Sequence, residues 1–495
     1  MAERNLRMKT SAGRWVLLAT VLGSGLAMLD STVVNIALPT IGRDFDAGLS
    51  SLQWVVNAYT LTLAGFLLLG GALGDRFGRR RAFLTGVVWF AGASLFCAVA
   101  PNTEVLIGAR ALQGLGAALL TPGSLAILEA SFVPDDRAAA IGAWSGLGGI
   151  MTAIGPFIGG WLVESASWRW IFVINLPFAA VVLWAGIRHV PESKNDHAPP
   201  GLDVLGAVLT ILGLAGVIAG LTSGPEQGWT SPEVLIPLLG GLAALAAFLV
   251  VEQRSPHPLV PLGLFKSTQF SAANLVTFVV YAALSGAFFL LPIQLQTVVD
   301  FSPIASGAAL LPVTVVMLLG SARAGRLATR IGPRIPMSLG PIIAGFGLML
   351  LTRVGAGSTY WVDVFPGIIV FACGLTLTVA PLTATVLGAA PDEFAGVASA
   401  VNNDVARTAG LIAIAVLPPL AGISNADFGN ATDFSDGFHN AMMIAGTVLI
   451  VGGLLAWATI RRPMQADDEK RGKPIPTSYC ALDAPPLRHD AAERV

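Results

Sequence analysis

The sequence predicts an all-α integral membrane fold: two six-helix bundles with two extra central helices between them, fourteen transmembrane helices in all. Three observations predict it. Of 495 residues, 54% are hydrophobic and only 12% charged, about half of the roughly 25% charge of a soluble domain. Apolar runs long enough to cross a bilayer, about 20 residues each, recur along the chain. One short stretch between two such runs is repeated in the second half of the sequence.

Taken in order, the spans fall at about 15–39, 51–73, 81–101, 105–130, 138–163 and 168–187 for the first bundle. The inserted pair is at about 202–223 and 234–251. The second bundle is at about 269–299, 304–327, 333–353, 360–389, 396–422 and 438–460. The corresponding division is 1–14 as a cytoplasmic N-terminus, 15–187 and 269–460 as the bundles, 188–268 as the insertion, and 461–495 as a polar, disordered cytoplasmic tail. Arg4, Arg7, Lys9 and Arg14 precede the first run as in a signal peptide. The run is too long for a signal core and no small-x-small cleavage site follows it, so it reads as a retained helix.

An even number of spans puts both ends on one side. Loops on the side of the N-terminus hold Arg76, Arg79, Arg80, Arg81, Arg137, Arg188, Lys194, Arg254, Lys266, Arg326, Arg330 and Arg334; opposite loops hold Arg43, Arg169 and Arg353. Basic residues mark the cytoplasmic side, so both termini are expected there. Trp15, Trp54, Trp161, Trp168, Trp184, Trp361 and Trp457 fall at expected helix ends, where indole favours the membrane interface.

The repeat is between Gly71-Ala-Leu-Gly-Asp-Arg-Phe-Gly-Arg-Arg80 and Gly325-Arg-Leu-Ala-Thr-Arg-Ile-Gly-Pro-Arg334. Gly71, Leu73, Arg76, Gly78 and Arg80 match Gly325, Leu327, Arg330, Gly332 and Arg334 at one offset (325 − 71 = 254). Ala-Leu-Pro39 is echoed by Leu-Leu-Pro292 at an offset one shorter (292 − 39 = 253). Repeated halves around a midplane site are the signature of secondary transporters. Other classes find no support. Cys97, Cys373 and Cys480 form neither a metal spacing nor an evident disulfide pair. A net charge of −1 gives no field for nucleic acid. Nucleotide loops and nucleophile–base sets are absent, and the loops are too short for catalytic domains, so an enzyme is not expected.

At this point the chain resembles the major facilitator superfamily, specifically its fourteen-helix drug:proton antiporters. Gly71–Arg80 resembles the signature loop between helices 2 and 3, and Asp30-Ser-Thr-Val-Val-Asn-Ile-Ala-Leu-Pro39 the helix 1 motif. Arg110-Ala-Leu-Gln-Gly-Leu-Gly116 resembles the helix 4 motif, and Gly155-Pro-Phe-Ile-Gly-Gly160 the helix 5 motif of antiporters. The resemblance covers nearly the whole chain before the tail. It implies export by alternating access driven by a proton gradient, with no cofactor or metal. It also implies a gating role for Gly71, Asp75, Arg76, Gly78, Arg79 and Arg80, with Asp75 pairing across helices when the cytoplasmic side is closed. Gly155, Pro156, Gly159 and Gly160 would favour antiport over leak. The chain departs from the pattern in Thr329, which stands where the first loop has Asp75, and in Asp404 on helix 13, beside Asn402 and Asn403. No added acid lies on helix 10, which argues against divalent cations.

Charges inside a membrane are costly and usually mark pathways. Four lie well inside the spans: Asp30, Arg110, Asp404 and Arg407. At about 1.5 Å per residue, Asp30 and Arg110 reach comparable depth in the outer half of the membrane. They are expected to pair, as a proton- and substrate-coupled carboxylate with its regulator or as a static ion pair that orients two helices. Asp404 and Arg407, spaced i,i+3, can neutralise one another on one helix face. Gly142, Gly146, Gly149, Ala153, Pro156 and Gly160 form a small-residue stripe on helix 5, first read as a close-packing face. Asn35, Gln113, Phe288, Gln294, Asn403 and Arg407 are candidates to line a cavity, as are Phe66, Phe278 and Phe289 more weakly.

The expectation is therefore a multi-pass carrier of a bacterial plasma membrane, acting as a monomer on small amphipathic substrates, neutral or monovalent cations, with protons and the bilayer as its other partners and no nucleic acid. The bacterial source rests on arginine outnumbering lysine, 24 to 5, with abundant alanine and glycine. The alternative is a dedicated exporter of one metabolite, antibiotic, siderophore or lipid.

Overall fold

The computed structural model describes residues 6–195, 201, 203–255, 258–391, 394–425 and 430–460; the expected tail lies outside them. Among these residues, fourteen helices are long and apolar enough to cross a membrane. They are α1 (Ser11–Phe45), α2 (Leu49–Phe77), α3 (Arg79–Ala98), α4 (Thr103–Ser131), α5 (Pro134–Ser165), α6 (Trp170–His189), α7 (Val204–Gln227), α8 (Pro232–Arg254), α9 (Thr268–Thr297), α10 (Pro303–Ile331), α11 (Arg334–Arg353), α12 (Tyr360–Gly388), α13 (Gly396–Leu420) and α14 (Ala431–Thr459). Several run a few residues past the apolar stretches. Their first turns are capped by polar side chains that the hydropathy pattern leaves out. Thr10 accepts from the Gly13 amide at 3.1 Å, Asn102 from Val105 at 2.9 Å, and Asp203 from Gly206 at 2.7 Å, satisfying donors that the helix cannot. Pro134, Pro232 and Pro303 open α5, α8 and α10 at the one helical place where a missing N–H costs nothing.

Helices α1–α6 pack as one bundle and α9–α14 as another. The repeat is visible in the backbone. Gly78 and Gly332, equivalent in the two copies, both have positive φ, +115° and +86°; a side chain would strain either turn. The inserted helices α7 and α8 form a tight hairpin. A methyl group on Gly216 would meet the Pro237 carbonyl at 2.5 Å, and one on Gly241 the Gly213 carbonyl at 2.6 Å, so glycine alone permits this approach. The hairpin lies beside the seam between α2 and α13, where Leu61, Leu214, Ile218, Leu411 and Ala415 form one buried cluster.

The two bundles are joined chiefly at the face opposite the N-terminus. There the Gln53 amide donates to the Ile414 carbonyl at 2.6 Å, Gln296 to Ile36 at 2.9 Å, and the Ile304 N–H to Glu164 at 3.0 Å. Asn425 links Ser50 at 3.0 Å to Glu226 at the end of α7. Toward the other face, a methyl added at Gly142, Gly146 or Gly149 of α5 would meet nothing within 4 Å. Trp168 lies at a helix end as expected, just before α6, but it is buried, and its indole N–H donates to Asp44 at 2.8 Å.

Candidate functional site

Five polar side chains from four helices meet inside the first bundle. Asp30 (α1), Ser94 (α3), Arg110 and Gln113 (α4) and Asn175 (α6) are all buried, none more than 1% exposed. Arg110 Nη1 donates to Asp30 Oδ2 and, at 2.6 Å, to Gln113 Oε1. The other Asp30 oxygen accepts from Gln113 Nε2 at 2.7 Å and from Asn175 Nδ2 at 3.0 Å. Those same two amides reach the Ser94 hydroxyl at 2.9 and 3.2 Å, and Ser94 donates to the Phe90 carbonyl at 2.8 Å. Arg110 Nε donates to the Val55 carbonyl at 3.2 Å, and its guanidinium lies 4.3 Å from the Tyr59 ring centre. The Tyr59 hydroxyl in turn donates to Ala27 at 3.0 Å.

The expected pairing of Asp30 with Arg110 is thus present, within a closed network rather than at an open wall. A buried charge pair is tolerated when geometry and extra hydrogen bonds offset desolvation, and here both charges have them. Gln113, expected in the cavity, belongs to this network instead. Placed three residues from Arg110, it shares its helix face. Ser94 and Asn175 are missed by the sequence reading; a single amide inside the apolar run Trp170–Leu176 is the only signal for the latter.

The segment Gly155–Gly160 forms close contacts at the face opposite the N-terminus. A methyl on Gly160 would meet the Pro303 carbonyl at 2.3 Å, and one on Gly307 the Pro156 carbonyl at 2.1 Å. On α1, a methyl on Gly155 would meet Thr32 Oγ1 at 2.1 Å, and one on Gly159 would meet Val33 at 3.0 Å. These glycines bring α5 backbone against α10 and α1. The stripe does not continue as a packing face: at Gly142, Gly146 and Gly149 an added methyl has no neighbour within 4 Å.

At the N-terminal face, Asp75 pairs with Arg79 at 2.8 Å, one turn away. Arg79 also donates to Ala126 of α4 at 3.2 Å, Arg76 lies over Phe77 at 5.4 Å, and Gly71 faces Pro122. The linker after α6 is folded onto this loop. Glu192 accepts from the Arg80 amide at 3.0 Å and lies 3.8 and 3.7 Å from the Arg80 and Arg81 guanidiniums; Arg80 also donates to Val190 at 3.1 Å. The Arg79 amide donates to Ser193 at 2.8 Å and the Asn195 amide to Asp75 at 2.9 Å. Among the described residues the second loop has no such clasp. Arg334 instead donates to the Trp457 carbonyl at 2.8 Å and stacks on that indole at 4.3 Å.

In the second bundle, Gln294 is buried and donates to Val354 at 2.8 Å and Ser435 at 3.1 Å, so it too leaves the cavity set. Phe289 is fully buried, and Phe288 packs on Phe371 at 6.1 Å. Asn403 is exposed and donates to its own helix at Ser399, 3.0 Å. Asn402 joins α13 to α9 through Asn274 and Thr277, at 3.0 and 2.8 Å. Asp404 and Arg407 do not neutralise one another as expected. No salt bridge joins them, and Asp404 Oδ1 and Arg407 Nε are buried without a protein partner. Their spacing puts them on one face, but it does not bring them to a direct ion pair. Asn35 Oδ1 on α1 is also unpartnered.

The sequence profile described as Major Facilitator Superfamily matches residues 20–414. Multidrug resistance protein Stp of Mycobacterium tuberculosis (strain CDC 1551 / Oshkosh) is 36% identical over 403 residues, 81% of this chain and 74% of that one. Puromycin resistance protein pur8 of Streptomyces alboniger is 34% identical over 468 residues, 92% of this chain and 93% of that one. Among solved structures, a bacterial homolog of the human lysosomal transporter Spinster, described as inward-facing and unoccupied, aligns with a TM-score of 0.65 at 17% identity, over 92% of this chain and all of that one.

Proposed function

This chain belongs to the Major Facilitator Superfamily, as a multi-pass membrane transport protein, and we propose that it exports small amphipathic compounds, drugs among them, in exchange for protons. The observation that carries the reading is the one-sided closure. The bundles are zipped together by glycine contacts and cross-bundle hydrogen bonds at one face, while Gly142, Gly146 and Gly149 toward the other have no close neighbours, which we read as a carrier at one stage of alternating access, with a cleft on the open side. The resistance functions in the names of the relatives support export of toxic compounds. The density of basic residues in the loops at the N-terminal face supports a cytoplasmic assignment for that face, in a bacterial plasma membrane. The cleft then opens to the cytosol and takes up neutral or monovalent substrates.

Proton coupling is assigned to Asp30. Its carboxylate ties α1 to α4 and α6 through Arg110, Gln113 and Asn175. About 9 Å further along α1, Ile36 holds the Gln296 amide of the opposite bundle. Protonation removes the charge that Arg110 and both amides are arranged around, which loosens α1 where it meets the second bundle. No cofactor takes part; the proton gradient supplies the work, and one chain suffices. A second reading, a dedicated exporter of one compound, draws on the single antibiotic in the name of the pur8 relative.

The test is ethidium uptake into everted membrane vesicles, with and without an uncoupler, for the natural chain and Asp30→Asn. Uncoupler-sensitive uptake that the variant loses is the expected result. Full gradient-driven uptake by Asp30→Asn would sink the coupling scheme.

A further inference from the structure

The network around Asp30 leaves little for a substrate to bind, since its charged groups already have partners. A different set of side chains, between α2 and α13, is in the opposite condition. On α13, Asp404, Arg407, Leu411 and Ile414 follow one another at spacings of three and four residues and share a face. Leu411 clusters with Leu61 of α2, and the Ile414 carbonyl holds Gln53 of α2, so this face looks toward α2. On α2, Gln53, Asn57 and Leu61 are each one turn apart, which turns Asn57 toward α13. Asn57 is wholly buried, yet neither its amide nitrogen nor its oxygen has a protein partner. Asp404 Oδ1 and Arg407 Nε are in the same state. Arg407 lies eleven residues from the start of the 25-residue α13, about 16 Å along the helix and near its middle.

Buried polar atoms without partners cost free energy, and charged ones most of all. A carboxylate and a guanidinium one turn apart would ordinarily remove that cost by pairing. Here they do not, and an amide with a free donor and a free acceptor sits on the facing helix. We propose that Asp404, Arg407 and Asn57 form the polar part of the substrate site, and that it selects zwitterionic compounds, with an ammonium group bound at Asp404 and a carboxylate at Arg407. The inference rests on the export reading and narrows its substrate class. A zwitterion has no net charge, so it loads the cleft without altering the charge balance at Asp30. Its two ends satisfy both side chains at once, which a simple cation or anion cannot.

The test is direct binding to the purified full-length chain in nanodiscs, followed by the intrinsic fluorescence of three probes: norfloxacin, a zwitterion near neutral pH; its methyl ester, a cation; and its N-acetyl derivative, an anion. The natural chain is expected to bind norfloxacin about tenfold more tightly than either derivative, the scale of one lost charge-assisted hydrogen bond. Asp404→Asn should erase the preference over the anion, and Arg407→Gln the preference over the cation. Should either variant fail to fold, the exchanged pair Asp404→Arg with Arg407→Asp keeps both charges on the helix and should keep the zwitterion preference. Equal binding of the three probes by the natural chain, or an unchanged ranking in the variants, would overturn the proposal. Ethidium uptake by the same variants separates the two readings: if the natural chain fails to move ethidium, export is in doubt, while the binding ranking still decides the substrate site.

Discussion

The two halves of the molecule carry the same residue types in opposite states. In the first, Asp30 and Arg110 lie on different helices and every charged group has a partner. In the second, Asp404 and Arg407 lie one turn apart on a single helix, with buried atoms of both unpartnered. Sequence proximity favours the second pair, yet the structure forms the first. A carboxylate and a guanidinium bind well only where other groups hold them in register. Gln113, Asn175, Ser94 and Tyr59 do so around Asp30; nothing equivalent surrounds Asp404.

The largest expected effect tests the bonded pair. Arg110→Ala strands a buried carboxylate and should cost about 3–5 kcal/mol, read as loss of monodisperse protein or a steep fall in Tm in detergent. A double-mutant cycle with Asp30→Asn and Arg110→Gln should then show strong coupling, well above 1 kcal/mol, whereas the cycle for Asp404→Asn and Arg407→Gln should show less than about 0.5 kcal/mol. Equal coupling in the two cycles would erase the contrast. Asn175→Ala removes one of the three donors to Asp30 and should cost about 1–2 kcal/mol, visible as a lower Tm with export retained. Arg407→Gln alone should leave Tm unchanged or raise it slightly, because no direct ion pair among the described residues is lost with it. The smallest effect is at the loop. Asp75→Asn breaks a part-exposed ion pair with Arg79 worth about 0.5 kcal/mol; Tm should hold, and any change in transport rate would then reflect the conformational cycle rather than folding.

Much of this was legible in the residues. Hydropathy finds every span, and the 254-residue offset finds the repeat that Gly78 and Gly332 share in their backbone. Simple depth counting brings Asp30 and Arg110 together because helix rise is fixed by geometry. The rest depends on directions that spacing does not encode. Neutral amides such as Asn175 are common enough in membrane helices that one of them announces nothing until its neighbours are known. Gln113 and Gln294 are polar and deep, which suits a cavity wall as well as a bundle interior; packing decides for the interior. Gly142, Gly146, Gly149, Ala153, Pro156 and Gly160 read as one packing stripe, yet of its glycines only Gly160 meets another backbone, and the other three have no close neighbour. The clasp of Glu192 on Arg80 joins residues 112 apart in a polar loop, where no periodicity points.

The placement of the inserted hairpin has a consequence for how the molecule meets lipid. Helices α7 and α8 back the seam between α2 and α13, and the dry cluster of Leu61, Leu214, Ile218, Leu411 and Ala415 closes it to acyl chains. The other seam, between α5 and α10, has no added helix, and below its glycine contacts Gly142, Gly146 and Gly149 stand clear of neighbours. A lipid-dissolved molecule approaching from the leaflet at the N-terminal face therefore meets a packed hairpin on one flank and no added helix on the other, so that the two flanks are unequal within the plane of the membrane.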